Sequence, residues 1–138
     1  MDNSLKRFLD AQTEDYQTAL AEIKNGKKQS HWMWYIFPQI KGLGHSEMSK
    51  RYAIKDMQEA RDYLAHPVLG SRLIEISNEL LKLRNTDANS IFGSPDDLKL
   101  KSSMTLFSLI DDTPVFKMVL DKFFNGELDE KTIQLIRK

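Results

Sequence analysis

The sequence predicts an all-α protein, a compact single-domain bundle of about six to eight helices, on three observations. Apolar residues recur at i, i+3, i+4 and i+7 in one segment after another. Serine, threonine, aspartate and proline stand where such segments begin, and glycine or asparagine where they end. The alternating β-branched runs that signal a sheet are missing, and 138 residues fit one domain.

A short helix is expected around Leu5 to Ala11, with Asn3 or Ser4 as its cap. Tyr16, Ala19, Leu20 and Ile23 then mark a second helix, capped by Thr13 and stopped at Gly26. Ser30 heads a short aromatic helix, His31 to Phe37, that Pro38 ends by forcing its predecessor out of the α region; an alternating strand is the competing reading. Gln39 to Ser46, with Gly42 and Gly44, reads as a tight loop, and helix resumes near Glu47. Met57, Ala60, Arg61 and Leu64 share one side of a helix between Asp56 and Ala65. Pro67 fits the first position of a helix whose stripe is Val68, Leu69, Leu73, Ile76, Leu80 and Leu83. Asn85 to Gly93 reads as a loop. Ser94-Pro95-Asp96-Asp97 is a helix start of cap, proline and first-turn acids, for a helix to about Leu109. Asp112-Thr113-Pro114 repeats that signal, Asn125-Gly126 stops its helix, and Asp129 caps a last one from Glu130 to Arg137.

Hydrophobic residues make up 41% and charged residues 29%, a composition that forms a packed core. The 20 basic and 20 acidic residues cancel, so the molecule as a whole has no attraction for phosphate backbones or acidic membranes. Nucleic-acid binding is disfavoured, since it would need a local patch such as Lys24, Lys27 and Lys28 beside the aromatics. The absence of cysteine removes thiolate chemistry and Cys-ligated zinc and suits a reducing compartment, with the cytoplasm as the expectation. Met1 to Leu9 lacks a secretory pattern, and no apolar run reaches the roughly 18 residues of a membrane span.

The segment Ser30 to Gln39 carries the unusual chemistry, with four aromatics in six residues from Trp32 to Phe37. Trp34 and Phe37 suit core anchors, while Trp32 or Tyr35 suits a pocket wall that stacks on a planar ligand. The loop Ile40 to Ser46 sets glycines, Lys41 and Ser46 before a helix start, where backbone N–H groups can hold an anion; a plain turn is the alternative. His31, His45 and His66 lack the i, i+4 spacing of a helical metal pair, so no metal site is expected, and His66 before Pro67 reads as a structural cap. Asp96, Lys99 and Ser103 share a helix side with Ser102 adjacent, a set suited either to phosphate or ribose or to a solvated face. Glu59 and Arg72 sit on neighbouring helices, and burial of Glu59 would raise it toward a usable acid or base.

Four strings bear on family. They are Ser30 to Gln39; Gly42-Leu43-Gly44-His45-Ser46; Glu59-Ala60 through Tyr63-Leu64-Ala65-His66-Pro67-Val68-Leu69-Gly70 with Arg72-Leu73; and Asp97 through Phe107. Together they resemble the DUF1810 family over nearly the whole chain. The resemblance implies an all-α single domain and no particular activity. It places His31, Gln39, Ser46, Glu59, Arg72, Asp96, Lys99, Ser102, Ser103 and Thr105 among the motif positions. A fainter similarity of helix order is to NADAR-type domains, which act on ADP-ribose N-glycosidic bonds, without that family's motif residues.

The leading functional expectation is a site for a phosphate-bearing small molecule, nucleotide or ADP-ribose-like, with no further cofactor. Trp32 or Trp34 would stack, Gln39, Ser46, Arg72, Asp96, Lys99, Ser102 and Ser103 would bind, and Glu59 with His31 would supply hydrolytic acid–base chemistry. The alternative is a protein-interaction module using Trp32 to Phe37 as an exposed hot spot.

Overall fold

The computed structural model describes residues 5–137. Its helices are α1 (Lys6–Lys24), α2 (Met33–Ile36), α3 (Glu47–Arg51), α4 (Met57–Ala65), α5 (Leu69–Lys82), α6 (Ala88–Phe92), α7 (Asp96–Ile110), α8 (Pro114–Phe124) and α9 (Glu130–Ile136). No strand occurs among the described residues; an isolated parallel bridge joins Ile40 to Ile54. The nine helices among the described residues exceed the expected six to eight because α2, α3 and α6 are single turns of four or five residues, too short for periodicity to register.

α1 is one helix where two were expected. The Thr13 hydroxyl donates back to the Leu9 carbonyl at 2.8 Å, the bond of a threonine inside a helix rather than of a cap. The expected caps Asn3 and Ser4 lie outside the described residues. α1 ends as its glycine requires: Gly26, at φ +74°, donates to Ile23 O, and Lys27 donates to Glu22 O. Ser30 does not cap the aromatic helix, which begins at Met33 with Trp32 at the cap position. Ser30 gives its hydroxyl to Glu22 instead.

Asp56, Asp87 and Asp129 each accept a backbone N–H at a helix start, as short acidic caps do. Asp87 and the buried pair Ile91 and Phe92 turn the expected Asn85–Gly93 loop into α6. α5 starts two residues after Pro67, capped by His66, whose Nδ1 accepts from Val68 and Leu69 at 3.1 and 3.2 Å. α7 starts at Asp96 with Pro95 in the cap position, so Ser94 is not its cap.

The core sits around α7. Residues 102–108 are all buried, so this helix is covered on every side and touches α4, α6, α8 and α9. α4 and α5 meet at a tight corner where a Cβ on Gly70 would lie 1.9 Å from the Leu64 carbonyl oxygen, which only glycine permits. Phe8, Tyr63, Phe107 and Phe116 link α1, α4, α7 and α8 through ring contacts with centroids 5.1 to 5.8 Å apart.

Candidate functional site

Glu22 sets the course of the chain after α1. Its carboxylate accepts the backbone N–H of Gln29 at 2.7 Å and of Ser30 at 2.9 Å, the Ser30 hydroxyl, and the Trp32 indole N–H at 2.9 Å. Burial pushes this carboxyl up, but the four hydrogen bonds outweigh it and hold the group at about 2. Trp32 is thereby fixed at 1% exposure against Phe37 and Phe92. The indole expected to stack on a ligand is a core anchor.

The second tryptophan differs. Trp34 is half-buried, its indole N–H meets no described acceptor, and the Lys99 ammonium lies 5.3 Å from its ring centroid. Of Trp32 to Phe37 it is the one residue not buried. Tyr35, the other candidate for a pocket wall, turns inward and donates its hydroxyl to Asp15, and burial pushes that phenol up.

Lys99 belongs to a triad. Asp96 pairs with Lys28 at 2.9 Å and with Lys99 at 3.3 Å, so one carboxylate serves two ammonium groups and a positive charge is left over. The Lys28 side chain is 7% exposed and that of Lys99 20%, so the surplus is presented to solvent through Lys99. One turn along, Ser102 Oγ lies 3.1 Å from the Leu98 carbonyl and 3.2 Å from Asp129 Oδ2. Asp129 also accepts from the Thr132 N–H and hydroxyl, which fastens the start of α9 to α7.

A groove runs beside these groups. A depression of about 330 Å³ is lined by Gln39, Gly44, Ser49, Lys99, Ser102, Asp129 and Lys131, among others. It adjoins a slot of about 60 Å³ whose lining includes Trp34, Lys41, Gly42, Lys50 and Tyr52, and the two share Gln39, Gly44 and Ser49. The glycine loop forms the shared wall. Lys41 donates to Ile54 O and Ile54 to Gln39 O, both at 2.8 Å, which ties the loop to the chain after α3. A Cβ on Gly44 would lie 2.4 Å from Ser49 Cβ, so glycine permits the close approach. Ser46, expected as an anion contact, caps α3 by accepting from the Ser49 N–H at 3.1 Å.

Trp34, Gln39, Lys99 and Ser102 therefore gather on one groove, with Asp96 behind Lys99 and Ser46 behind Ser49. Other expected residues lie elsewhere. Glu59 is 3% exposed; its Oε1 takes the Arg7 guanidinium at 3.0 Å and the Lys55 N–H at 2.9 Å, and it lines neither depression. Arg72 faces α1, with Nη1 3.4 Å from Gln12 Oε1 and its guanidinium 5.0 Å from the Tyr16 ring. Neither Glu59 nor Arg72 lines the groove. His31 is exposed, and its carbonyl oxygen lies 3.3 Å from the Tyr35 hydroxyl. Ser103 is 0% exposed, and its hydroxyl has no partner among the described residues.

Sequence reasoning missed Lys50, Ser49, Lys131 and Asp129 as groove residues. The loop around Lys41 was legible from its glycines, whereas Asp129 and Lys131 reach the groove through the docking of α9 on α7, which no local pattern encodes. Among the described residues no group of three or more His, Asp or Glu could hold a metal ion, and no helix is long and apolar enough to cross a membrane.

Comparison with known proteins bears on kinship. No curated protein matches the chain. The crystal structure of the conserved hypothetical protein Rv1873 from Mycobacterium tuberculosis is 42% identical in sequence, with a TM-score of 0.95 over 97% of this chain and 96% of that one. The family model described as "Protein of unknown function (DUF1810)" matches residues 2–136. With the match spanning all but the ends of the sequence and the fold shared throughout, the chain belongs to the DUF1810 family.

Proposed function

We propose that the groove between the glycine loop, α7 and α9 binds a small phosphate-bearing molecule with a planar group, of the nucleotide or ADP-ribose kind. The observation that carries this reading is the Lys28–Asp96–Lys99 triad, which leaves a surplus, pre-positioned ammonium beside the half-buried Trp34. A phosphate would meet Lys99 in a charge-assisted contact and the planar group would lie on the indole. Four lysines and one aspartate line the groove, so the local field favours an anion although the net charge is zero. At about 330 Å³ the wider depression falls at the lower end of small-molecule sites.

The reading is one of binding. Asp129, the acid that lines the groove, already accepts from Ser102 and Thr132, and Glu59 is held by Arg7 away from it. The cytoplasm, where phosphorylated metabolites are retained and a chain without cysteine is at home, is the compartment this reading assigns. A protein-interaction module built on the aromatic segment has less support, because Trp32 to Phe37 offers a partner little beyond Trp34.

The test is a thermal-shift series with AMP, ADP, NAD, ADP-ribose and inorganic phosphate. A ligand at 100 times its Kd stabilises the native state by about 2.7 kcal/mol, which for a chain of this length is roughly 9 °C in Tm. The shift should be lost in Lys99→Ala and Trp34→Leu. No shift across the series, or one that survives both substitutions, overturns the reading.

A further inference from the structure

Lys41, Lys50 and Lys131 all border the groove, and among the described residues none has a carboxylate within ion-pair distance. They divide between its two parts. Lys41 and Lys50 stand at the slot, and Lys131 stands with Lys99 at the wider depression. Cations grouped in two places suit a ligand charged in two places.

The sizes agree with this division. The slot's volume of about 60 Å³ has room for about four to six water-sized atoms, enough for a phosphoryl group. Its polar wall suits the same group. The Gln39 carboxamide has no hydrogen-bond partner among the described residues, and Ser49 is brought to the slot by its contact with Gly44. Lys41 and Lys50 are exposed, so each ammonium can swing over the slot without breaking an existing pair.

We infer that the groove has two anion seats, Lys41 and Lys50 over the slot and Lys99 and Lys131 over the wider depression, and that its ligand is a diphosphate or bis-phosphate rather than a monophosphate. This rests on the binding function proposed above and specifies its substrate class. The terminal phosphoryl group occupies the slot and the inner phosphate meets Lys99 at the wider depression.

The experiment is isothermal titration calorimetry of the full chain with AMP, ADP and inorganic pyrophosphate at fixed ionic strength, repeated on Lys50→Ala and Lys99→Ala. Lys50 is exposed, the Lys99 side chain is 20% exposed, and Asp96 keeps Lys28 as a partner when Lys99 is lost. ADP should bind at least about tenfold more tightly than AMP, the scale of one added charge-assisted contact. Lys50→Ala should bring ADP down to AMP and leave AMP unchanged, whereas Lys99→Ala should weaken both. Equal affinity for AMP and ADP in the parent protein, with Lys99→Ala still weakening both, overturns the second seat and leaves the binding reading intact. Failure of all three phosphates to bind overturns the two seats, and overturns the binding reading as well when NAD and ADP-ribose also give no thermal shift. A single-stranded oligonucleotide that displaces ADP at lower concentration also overturns the assignment, because the two seats then track a nucleic-acid backbone.

Discussion

Replacing Glu22 by Gln removes the charge around which the chain from α1 to α2 is organised. The carboxylate accepts from Gln29 N–H, Ser30 N–H, Ser30 hydroxyl and Trp32 indole N–H, and a carboxamide can accept on only one of its two ends. The carboxyl is held at about 2 against an ordinary 4.5, which by linkage corresponds to about 3 kcal/mol in full. Solvent access to the group reduces this to about 2 kcal/mol. Because the folded-state value lies below the unfolded one, the contribution is complete above about pH 5 and is lost as pH falls toward 2; more than half is gone by about pH 3. Urea denaturation of the parent and Glu22→Gln at pH 7 and pH 3 reads the difference directly. The variant should be about 2 kcal/mol less stable at pH 7 and within about 1 kcal/mol of the parent at pH 3. A deficit that does not change with pH, or one below about 0.5 kcal/mol at pH 7, refutes the assignment of the stability to a charged Glu22.

Four further substitutions test other parts of the structure. Gly70→Ala drives a methyl group into the Leu64 carbonyl, so it should cost at least about 3 kcal/mol or prevent accumulation of folded protein, measured by thermal melting. Gln12 is 2% exposed and donates to Tyr35 O and the Tyr63 hydroxyl while Arg72 reaches its carbonyl; Gln12→Leu should cost about 2–3 kcal/mol in urea titration by leaving those groups unmatched. Lys122 donates to the carbonyls of Leu80, Leu81 and Leu83 at the end of α5, so Lys122→Met should cost about 1–2 kcal/mol. Ser103→Ala should be neutral or stabilising by up to about 1 kcal/mol, since its buried hydroxyl has no described partner, and it should leave the proposed nucleotide binding unchanged.

Helices whose signals are local were legible in the sequence. Asp129 as a cap, Asn125-Gly126 as a stop and Pro114 at the first position of α8 all act within one turn, and all stand where the spacing placed them. Errors arose where a local signal had two uses. Thr13 bonds backward inside α1, and Ser30 answers Glu22, eight residues before it, so neither starts a helix. The same limit governs the site. Lys99 and Asp96, three residues apart on one helix, were readable as a pair, but Lys28 completes the triad from far away in sequence, and that third member is what leaves Lys99 a surplus charge. Trp32 and Trp34 are interchangeable in sequence. Glu22 separates them by claiming one indole N–H and drawing that ring into the core.

The cancellation of 20 bases by 20 acids holds in sum and not in place. Many of the acids answer the backbone: Asp56, Asp87 and Asp129 accept N–H groups at helix starts, where the positive end of the dipole offsets their charge, and Glu22 accepts two in the turn after α1. Each acid used this way is fixed at a position set by the fold. Lysines have fewer such duties: glycine turns follow α1 and α8, and Lys122 meets the carbonyls at the end of α5. Lys41 and Lys50 stand at a place where no acidic cap sets the course of the chain, since α3 is capped by Ser46. The glycine loop is such a place, since its course is held by the backbone bonds between Gln39, Lys41 and Ile54 rather than by a carboxylate. A neutral chain thus acquires a cationic groove as a consequence of how its helices are capped, and zero net charge argues against a polyanion-coated surface without arguing against one anion site.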